Sequence, residues 1–435
     1  MAEALHGLFF DIQRQPGKQR ALVNINVNTS LTKEFYQQAL IHHQHHFIAY
    51  GFQHQETPSF YVEAQYKPHL EKHLSEFIFN FYIASALYKF LREQKIVIIG
   101  EPRLIKAELE LEKGCSYQFE ITLAPSILVH DWKYLPFKAP KRRLYKDIDK
   151  QAAALIQEES TQQQTYGKHD TVEVGDWIKF KVELLDNNNQ PMNPSLYETL
   201  WLQIGEEETS IPFKELFVGK KLNEAFTTQA QCLQEYFNSL IDGNYIFLVR
   251  IQSILPKKFF NLDHFKEHFK LKSEKKVHQK VVEVYSSKHD LSLRRGMVEE
   301  TMRVLNQAYP IEIPASVIAD QEKLIMQSVQ NSPDYMVYRQ LPDFEDMITK
   351  LAQKQVLETI LIDHFAYQEN ISLSDTEVEY YLNFTKRART KEFLHFIHPL
   401  IRVNEEETPI SHESLKQVCL REKTLNHILY HLNKL

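Results

Sequence analysis

At 435 residues the chain is too long for one compact core, and the usual domain size of roughly 100 to 200 residues predicts two to four domains. It is 43% hydrophobic and 25% charged, ordinary for a globular protein, and its low count of 11 glycines points to helix. The formal charge of −6 argues against a generally basic nucleic-acid binder and against specific DNA recognition. Cys115, Cys232 and Cys419 lie far apart, with no spacing for a disulfide framework or a zinc site, so a reduced cytosol is the simplest home. Met1 to Gln15 lacks the basic start and apolar run of a secretory signal, and no stretch approaches the roughly 18 apolar residues of a membrane helix. A cytoplasmic chain without a membrane partner is the expectation.

Taken in order, residues Ala21 to Asn28 alternate, with Val23, Ile25 and Val27 on one face and asparagines on the other, as a half-buried strand requires. This strand is read as the opening of the first domain. Ser30 is placed to cap a helix carrying Phe35, Ala39 and Leu40, which runs through His42, His43, His45 and His46 into the segment Tyr50 to Pro58. There Gly51 supplies a chain reversal, Phe52 is the one large apolar side chain, and Pro58 fixes the exit. A plain surface loop is the competing reading of that segment.

Beyond Pro58, Leu70, Leu74, Phe77, Phe81, Ala84, Tyr88 and Leu91 recur at steps of four and three, predicting a long helix with one apolar stripe. Ile96 to Ile99 reads as a short strand ended by Gly100, and Tyr117, Phe119, Ile121 and Leu123 mark another. From Pro125 to Gly167 the pattern weakens into an extended connector plus a helix around Leu144 to Glu159. Its basic triplet Lys141-Arg142-Arg143 is read as solvated rather than as a nucleic-acid contact. Val172 to Pro256 is β-rich: Ile178, Phe180, Val182 and Leu184 alternate with polar residues, Leu200 to Ile204 and Tyr245 to Ile251 come next, and Asp242-Gly243-Asn244 is the expected turn before the last. Past Pro256 amphipathic helices dominate, and five of the seven methionines fall there: Met297, Met302, Met326, Met336 and Met347. Methionine suits an adaptable apolar surface and equally suits gap-filling in a core, and both readings stand.

Three separated pieces, in order, resemble the trigger factor family, the ribosome-associated bacterial chaperones. The strand, helix, Gly51-Phe52, Pro58, long helix and Gly100-x-Pro102 are similar to the family's ribosome-binding domain, whose loop reads Gly-Phe-Arg-Lys-Gly-x-x-Pro. Gly175-Asp176, Gly205, Ile211-Pro212-Phe213, Val218-Gly219-Lys220, Glu235-Tyr236, Gly243 and Phe247 resemble its FKBP-type peptidyl-prolyl isomerase domain. Ile311-Glu312-Ile313-Pro314 before a long helix resembles the start of an arm in its substrate-cradling region. The resemblance implies an α+β multidomain chain: residues 1–126 ribosome-binding-like, 127–167 a linker, 168–256 FKBP-like, and 257–435 a helical chaperone domain with arms.

The same resemblance implies an ATP-independent chaperone for nascent or unfolded polypeptides, without cofactors, docking at the ribosome exit-tunnel region of protein and RNA through Gly51, Phe52, Gln53 and His54. Gln53 and His54 stand where the family has Arg and Lys, which implies a weaker anchor, or one strengthened below about pH 6.5 by the histidines. His42 and His46 lie one turn apart and invite a metal reading, but no acid or cysteine completes a site, so no metal is expected. Phe213, Tyr236 and Phe247 fall on the isomerase's pocket aromatics, while Pro212, Lys181 and Val182 depart from its pattern and imply weakened catalysis. The methionines Met297, Met302, Met326, Met336 and Met347 are the implied client surface. Two alternatives remain, a peptidyl-prolyl isomerase whose catalysis is the main role, and a cytosolic holdase that does not dock on the ribosome.

Overall fold

A computed structural model describes the chain apart from residues 1–2, 6–7, 16–18, 47–50, 54–55, 111–112, 142–145, 167–168, 187, 194–195, 206–211, 238–244, 258–260, 287, 331–334, 386–387, 399–401, 404–405 and 434–435. The architecture is α+β, with two five-stranded antiparallel sheets and a helical region.

Strands β1 (Glu3–Leu5), β2 (Leu8–Arg14) and β3 (Arg20–Val27) form a meander, so the first domain opens two strands earlier than the alternation at 21–28 announces. The Leu8-Phe9-Phe10 cluster belongs to this sheet: Leu8 and Phe10 are buried, and Phe10 stacks on Phe90 at 4.3 Å. Helix α1 (Thr29–His46) begins one residue before Ser30. The Asn28 side chain accepts the Ser30 N–H at 3.2 Å, which makes Asn28 the cap instead of Ser30.

The long helix is interrupted. Helix α2 (Ser59–Ile78) passes through a π turn at Phe79–Ile83 into α3 (Ala84–Glu93). The wider turn adds a residue and rotates the helix beyond it, so the buried stripe continues through Ile83, Ala86, Leu87, Phe90 and Leu91, while Ala84 and Tyr88 are only half-buried. A strict four-and-three count cannot see this shift.

Strand β4 (Ile98–Glu110) pairs with β5 (Gly114–Leu123), and β5 lies beside β3, giving the order β1-β2-β3-β5-β4. Gly100 does not end β4. It sits at φ +71° where the register slips between Ile99 and Arg103, a bulge inside the strand, and a Cβ there would press on Val317 at 3.2 Å. After β5 the connector is extended and packed: Trp132 is buried among Met297, Leu305, Phe365 and Ile428, and its indole donates to Glu369 at 2.9 Å. Helix α4 (Ile148–Tyr166) then starts and ends later than the pattern at 144–159 indicates.

The second sheet comprises β6 (Trp177–Leu185), β7 (Tyr197–Gln203), β8 (Ala225–Thr228) and β9 (Ile246–Leu255), with short helices α5 (Pro212–Phe217) and α6 (Gln231–Tyr236) over one face. Ile178, Phe180, Val182 and Leu184 are buried toward that face, as their alternation requires. The expected turn at Asp242-Gly243-Asn244 lies outside the described residues.

The helical region runs through α7 (Leu262–His268), α8 (Glu274–Ser286), α9 (Lys288–Ala308), α10 (Ala315–Gln330), α11 (Tyr335–Tyr338), α12 (Phe344–Gln368), α13 (Asp375–Thr385) and α14 (Ala388–Lys391). The small strands β10 (Arg402–Val403), β11 (Glu406–Glu407) and β12 (Ile410–Ser411) lead into α15 (His412–Leu432). Strand β12 adds to the second sheet beside β7, with Ile410 opposite Trp201, so a residue far along the chain completes that sheet. Behind it Trp177, Trp201 and Leu255 share one buried cluster with Tyr381, Leu415 and Phe265. At the centre of the helices Arg294 is buried, donating to Glu422 at 2.9 Å and Asn426 at 2.7 Å, while Glu422 also accepts the backbone N–H groups of His395 and Phe396. That satisfies a charge pair which would otherwise be costly to bury.

Candidate functional sites

The loop between α1 and α2 is built as a reversal. Gly51 has φ +94° with open space where a Cβ would stand, so only the backbone conformation demands glycine there. Phe52 is 40% exposed and leans on Tyr61 with ring centroids 5.5 Å apart. Gln53 is exposed, and its carbonyl accepts the Glu56 N–H at 3.0 Å, closing the turn. Thr57 is buried, with its carbonyl held by the Gln44 side chain at 2.8 Å, and Pro58 precedes the first residue of α2. The structure thus anchors the Thr57 end of the segment and leaves Phe52 exposed. His54 lies outside the described residues, as do the side chains of His42, His43, His45 and His46 on α1. Among the described residues no group of three or more potential metal ligands gathers.

The three isomerase-type aromatics come from three elements, Phe213 from α5, Tyr236 from the last position of α6 and Phe247 from β9. Phe213 and Phe247 are buried in one apolar cluster with Phe180, Phe217 and Phe237, and Tyr236 packs against its edge. Phe237, which sequence reasoning did not single out, links them: its ring lies 5.7 Å from Phe247 and 4.8 Å from Tyr236. Burial pushes the Tyr236 phenol well above its ordinary range. Lys181 is turned away from this cluster, paired with Glu183 at 2.8 Å and lying over the Tyr197 ring at 3.9 Å. The first domain covers the same edge, since Phe77 stacks on Tyr245 at 4.3 Å and Phe81 meets Phe237 edge-on at 4.9 Å.

The five methionines separate. Met297 and Met302 are buried on α9 beside Trp132 and Phe365, which is the gap-filling role, and Met326 is partly buried between α10 and α12. Only Met336 and Met347 are exposed, Met336 to 64%. Leu324 on α10, Val337 and Tyr338 on α11, Leu341 after it and Leu351 near the start of α12 are exposed as well. The α10–α12 hairpin is rooted against the first domain, where Val317, Val356 and Ile360 bury Val97 and Ile99. The apolar run Tyr335-Met336-Val337-Tyr338, bounded by Pro333 and Pro342, was the sequence signal for this tip.

A cleft of about 410 Å³ opens where α3, the second sheet and α15 meet, lined by Lys89, Lys181, Glu198 and His412 among others. Glu198 is buried there, and its Oε1 accepts from Ser85 of α3 at 2.7 Å and from Ser411 of β12 at 3.0 Å. Burial raises its carboxyl to about 8, more than the two hydroxyls lower it. Burial, with Lys179 and Lys416 nearby, lowers His412 to about 4, and its Nδ1 accepts the Trp201 indole N–H at 2.9 Å.

Among the described residues no helix is long and apolar enough to cross a membrane. Two family models match, described as "Bacterial trigger factor protein (TF)" over residues 11–155 and "Bacterial trigger factor protein (TF) C-terminus" over residues 263–429, together most of the chain. The chain is similar to a trigger factor of Geobacter metallireducens, 21% identical over 391 residues and 87% of each chain. It is also similar to one of Caldicellulosiruptor saccharolyticus, 19% identical over 385 residues, 85% of this chain and 86% of the other. A solved chain from work on "Promiscuous Substrate Recognition in Folding and Assembly Activities of the Trigger Factor Chaperone" aligns over 97% of this chain at 14% identity with a TM-score of 0.38. With both of its terminal regions matched by models of one family, this chain is a divergent member of the trigger factor family.

Proposed function

We propose that the protein is an ATP-independent chaperone that holds unfolded or nascent polypeptides on the tip of the α10–α12 hairpin. The observation that carries this is the exposed apolar group of Met336, Val337, Tyr338, Leu341, Met347 and Leu351 on a hairpin whose root is firmly packed. Contiguous exposed hydrophobics are costly to keep in water and mark interaction surfaces, and two methionines among them let the surface follow varied partners. Many weak apolar contacts also allow release once a client buries its own core.

The loop Gly51 to Pro58 is proposed as a docking tip at the ribosome exit region, resting on an exposed Phe52 beside an anchored Thr57. Gln53 leaves that tip without the fixed charge of the family's arginine, so docking is weak and depends on shape and on Phe52. Isomerase activity is secondary in this reading. Twisting an X-Pro bond requires an apolar pocket open to the substrate, and burial of Phe213 and Phe247 supports their service as core.

The test is suppression of aggregation of a chemically unfolded protein by the purified chain and by Met336→Asp/Val337→Asp. The wild type suppresses aggregation and the variant loses most of that capacity with its fold intact; equal suppression by both overturns the reading.

A further inference from the structure

The first domain and the FKBP-like unit are joined by more than a chain connection. Their buried side chains form one continuous cluster, and residues 77–85, at the end of α2, the π turn and the start of α3, contribute ring and hydrogen-bond contacts across the joint. Phe77 lies parallel to Tyr245 at 4.3 Å, Phe81 meets Phe237 at 4.9 Å, and Phe237 leads inward to Phe247. Ser85 closes the rim by donating to Glu198. The stretch therefore presents two aromatic rings, one turn apart on a helix, to an aromatic edge on a fold whose resemblance is to peptide-handling enzymes.

We propose that residues 77–85 are a built-in plug of the FKBP-like unit, displaced when an unfolded polypeptide places its own aromatic side chains against Phe237 and Tyr245. The inference rests on the chaperone reading above and adds a second client surface that the closed chain keeps covered. Aromatic pairs contribute beyond the area they bury, so a client rich in Phe, Tyr or Trp offers the same contacts as Phe77 and Phe81. The rim of the seam is polar, with the buried Glu198 carboxyl accepting from Ser85 of the first domain and from Ser411. Where the chain leaves the first domain, Ala124 donates to the Val97 carbonyl and packs with Val97 and Ile99 on Val317 and Ile360, and the connector beyond is held on the helical region through Trp132.

The full chain carrying Lys72→Cys on α2 and Arg250→Cys on β9, both exposed positions, is labelled with a dye pair; the native cysteines are buried. Energy transfer is read before and after saturation with an unlabelled, permanently unfolded polypeptide rich in aromatic residues, whose binding is followed separately by anisotropy. Transfer falls on client binding, and falls without client in Ser85→Glu, which sets a second carboxyl against Glu198. If the closed form is about nine-tenths populated, Ser85→Glu binds the client up to about tenfold more tightly, because the closed fraction no longer taxes binding. Unchanged transfer at saturating client overturns the plug while leaving the chaperone reading intact. Absence of any client binding by the wild type and the variant overturns both.

Discussion

The hairpin tip and the FKBP-like cluster draw on similar side chains and treat them in opposite ways. At the tip Met336, Val337 and Tyr338 are exposed among the described residues. In the cluster Phe213, Phe237 and Phe247 are buried, and the first domain covers their edge. Exposure rather than residue type separates a surface that meets clients from one that holds the molecule together, and substitutions in the two places should differ in kind. Replacing a cluster aromatic costs stability; replacing a tip residue costs binding.

The largest effects are expected in buried positions. Phe247→Ala, at full burial between Phe237 and the sheet, should lower stability by about 3–5 kcal/mol in denaturant unfolding, the usual cost of deleting a core ring. Glu422→Ala should cost a similar 3–5 kcal/mol or so, since it leaves the buried Arg294 guanidinium without its carboxylate and two part-buried backbone N–H groups without their acceptor. A loss below about 1 kcal/mol for Phe247→Ala would mean that the cluster is looser than its burial shows, and would reopen the isomerase reading.

A smaller effect, graded with pH, separates the junction from the helices. The Glu198 carboxyl is raised to about 8 in the folded chain, so the folded state holds a proton that the unfolded state releases. Its contribution is full below the ordinary carboxylate range and is lost as pH rises toward 8. Burial, with Arg294 and Lys280, lowers His268 to about 3, and burial, with Lys270 and His431, lowers His427 to about 4. These stay neutral when folded, so their contribution is full above the ordinary histidine range and is lost as pH falls toward those values. Melting temperature should therefore decline on both sides of a mildly acidic maximum. Glu198→Gln should flatten the alkaline side alone, and an unaltered alkaline decline would remove Glu198 as its cause.

The smallest effect on stability belongs to the tip. Met336→Ser should change stability by no more than about 0.5 kcal/mol, as exposed positions do, while weakening the binding of an unfolded polypeptide. Phe52→Ala should likewise leave the melting temperature nearly unchanged while lowering co-sedimentation with ribosomes.

Locality decides which features were legible in the sequence. Strand β3 and the even positions of β6 announce themselves because burial on one face of a strand repeats every second residue. The π turn at Phe79–Ile83 stays hidden because the count of four and three runs through it without a break, and only packing shows that Ile83 replaces Ala84 on the buried side. Gly100 looks like a terminator until its bulge is set against the pairing of β4 with β5. Strand β12 and the Ser85–Glu198–Ser411 junction unite residues hundreds of positions apart, which no local period encodes. For the candidate sites, the Gly51-Phe52 reversal could be read directly, whereas the sequence left core and surface undecided for the methionines. Met297 and Met302 sit on a helix packed from several sides, and Met336 sits on one packed from few.

The most direct measurement of the central claim is the capacity of Met336→Asp/Val337→Asp to keep a chemically unfolded protein from aggregating, compared with the wild type at equal concentration. The account predicts that most of the capacity is lost while the melting temperature holds. Full capacity in the variant would contradict it.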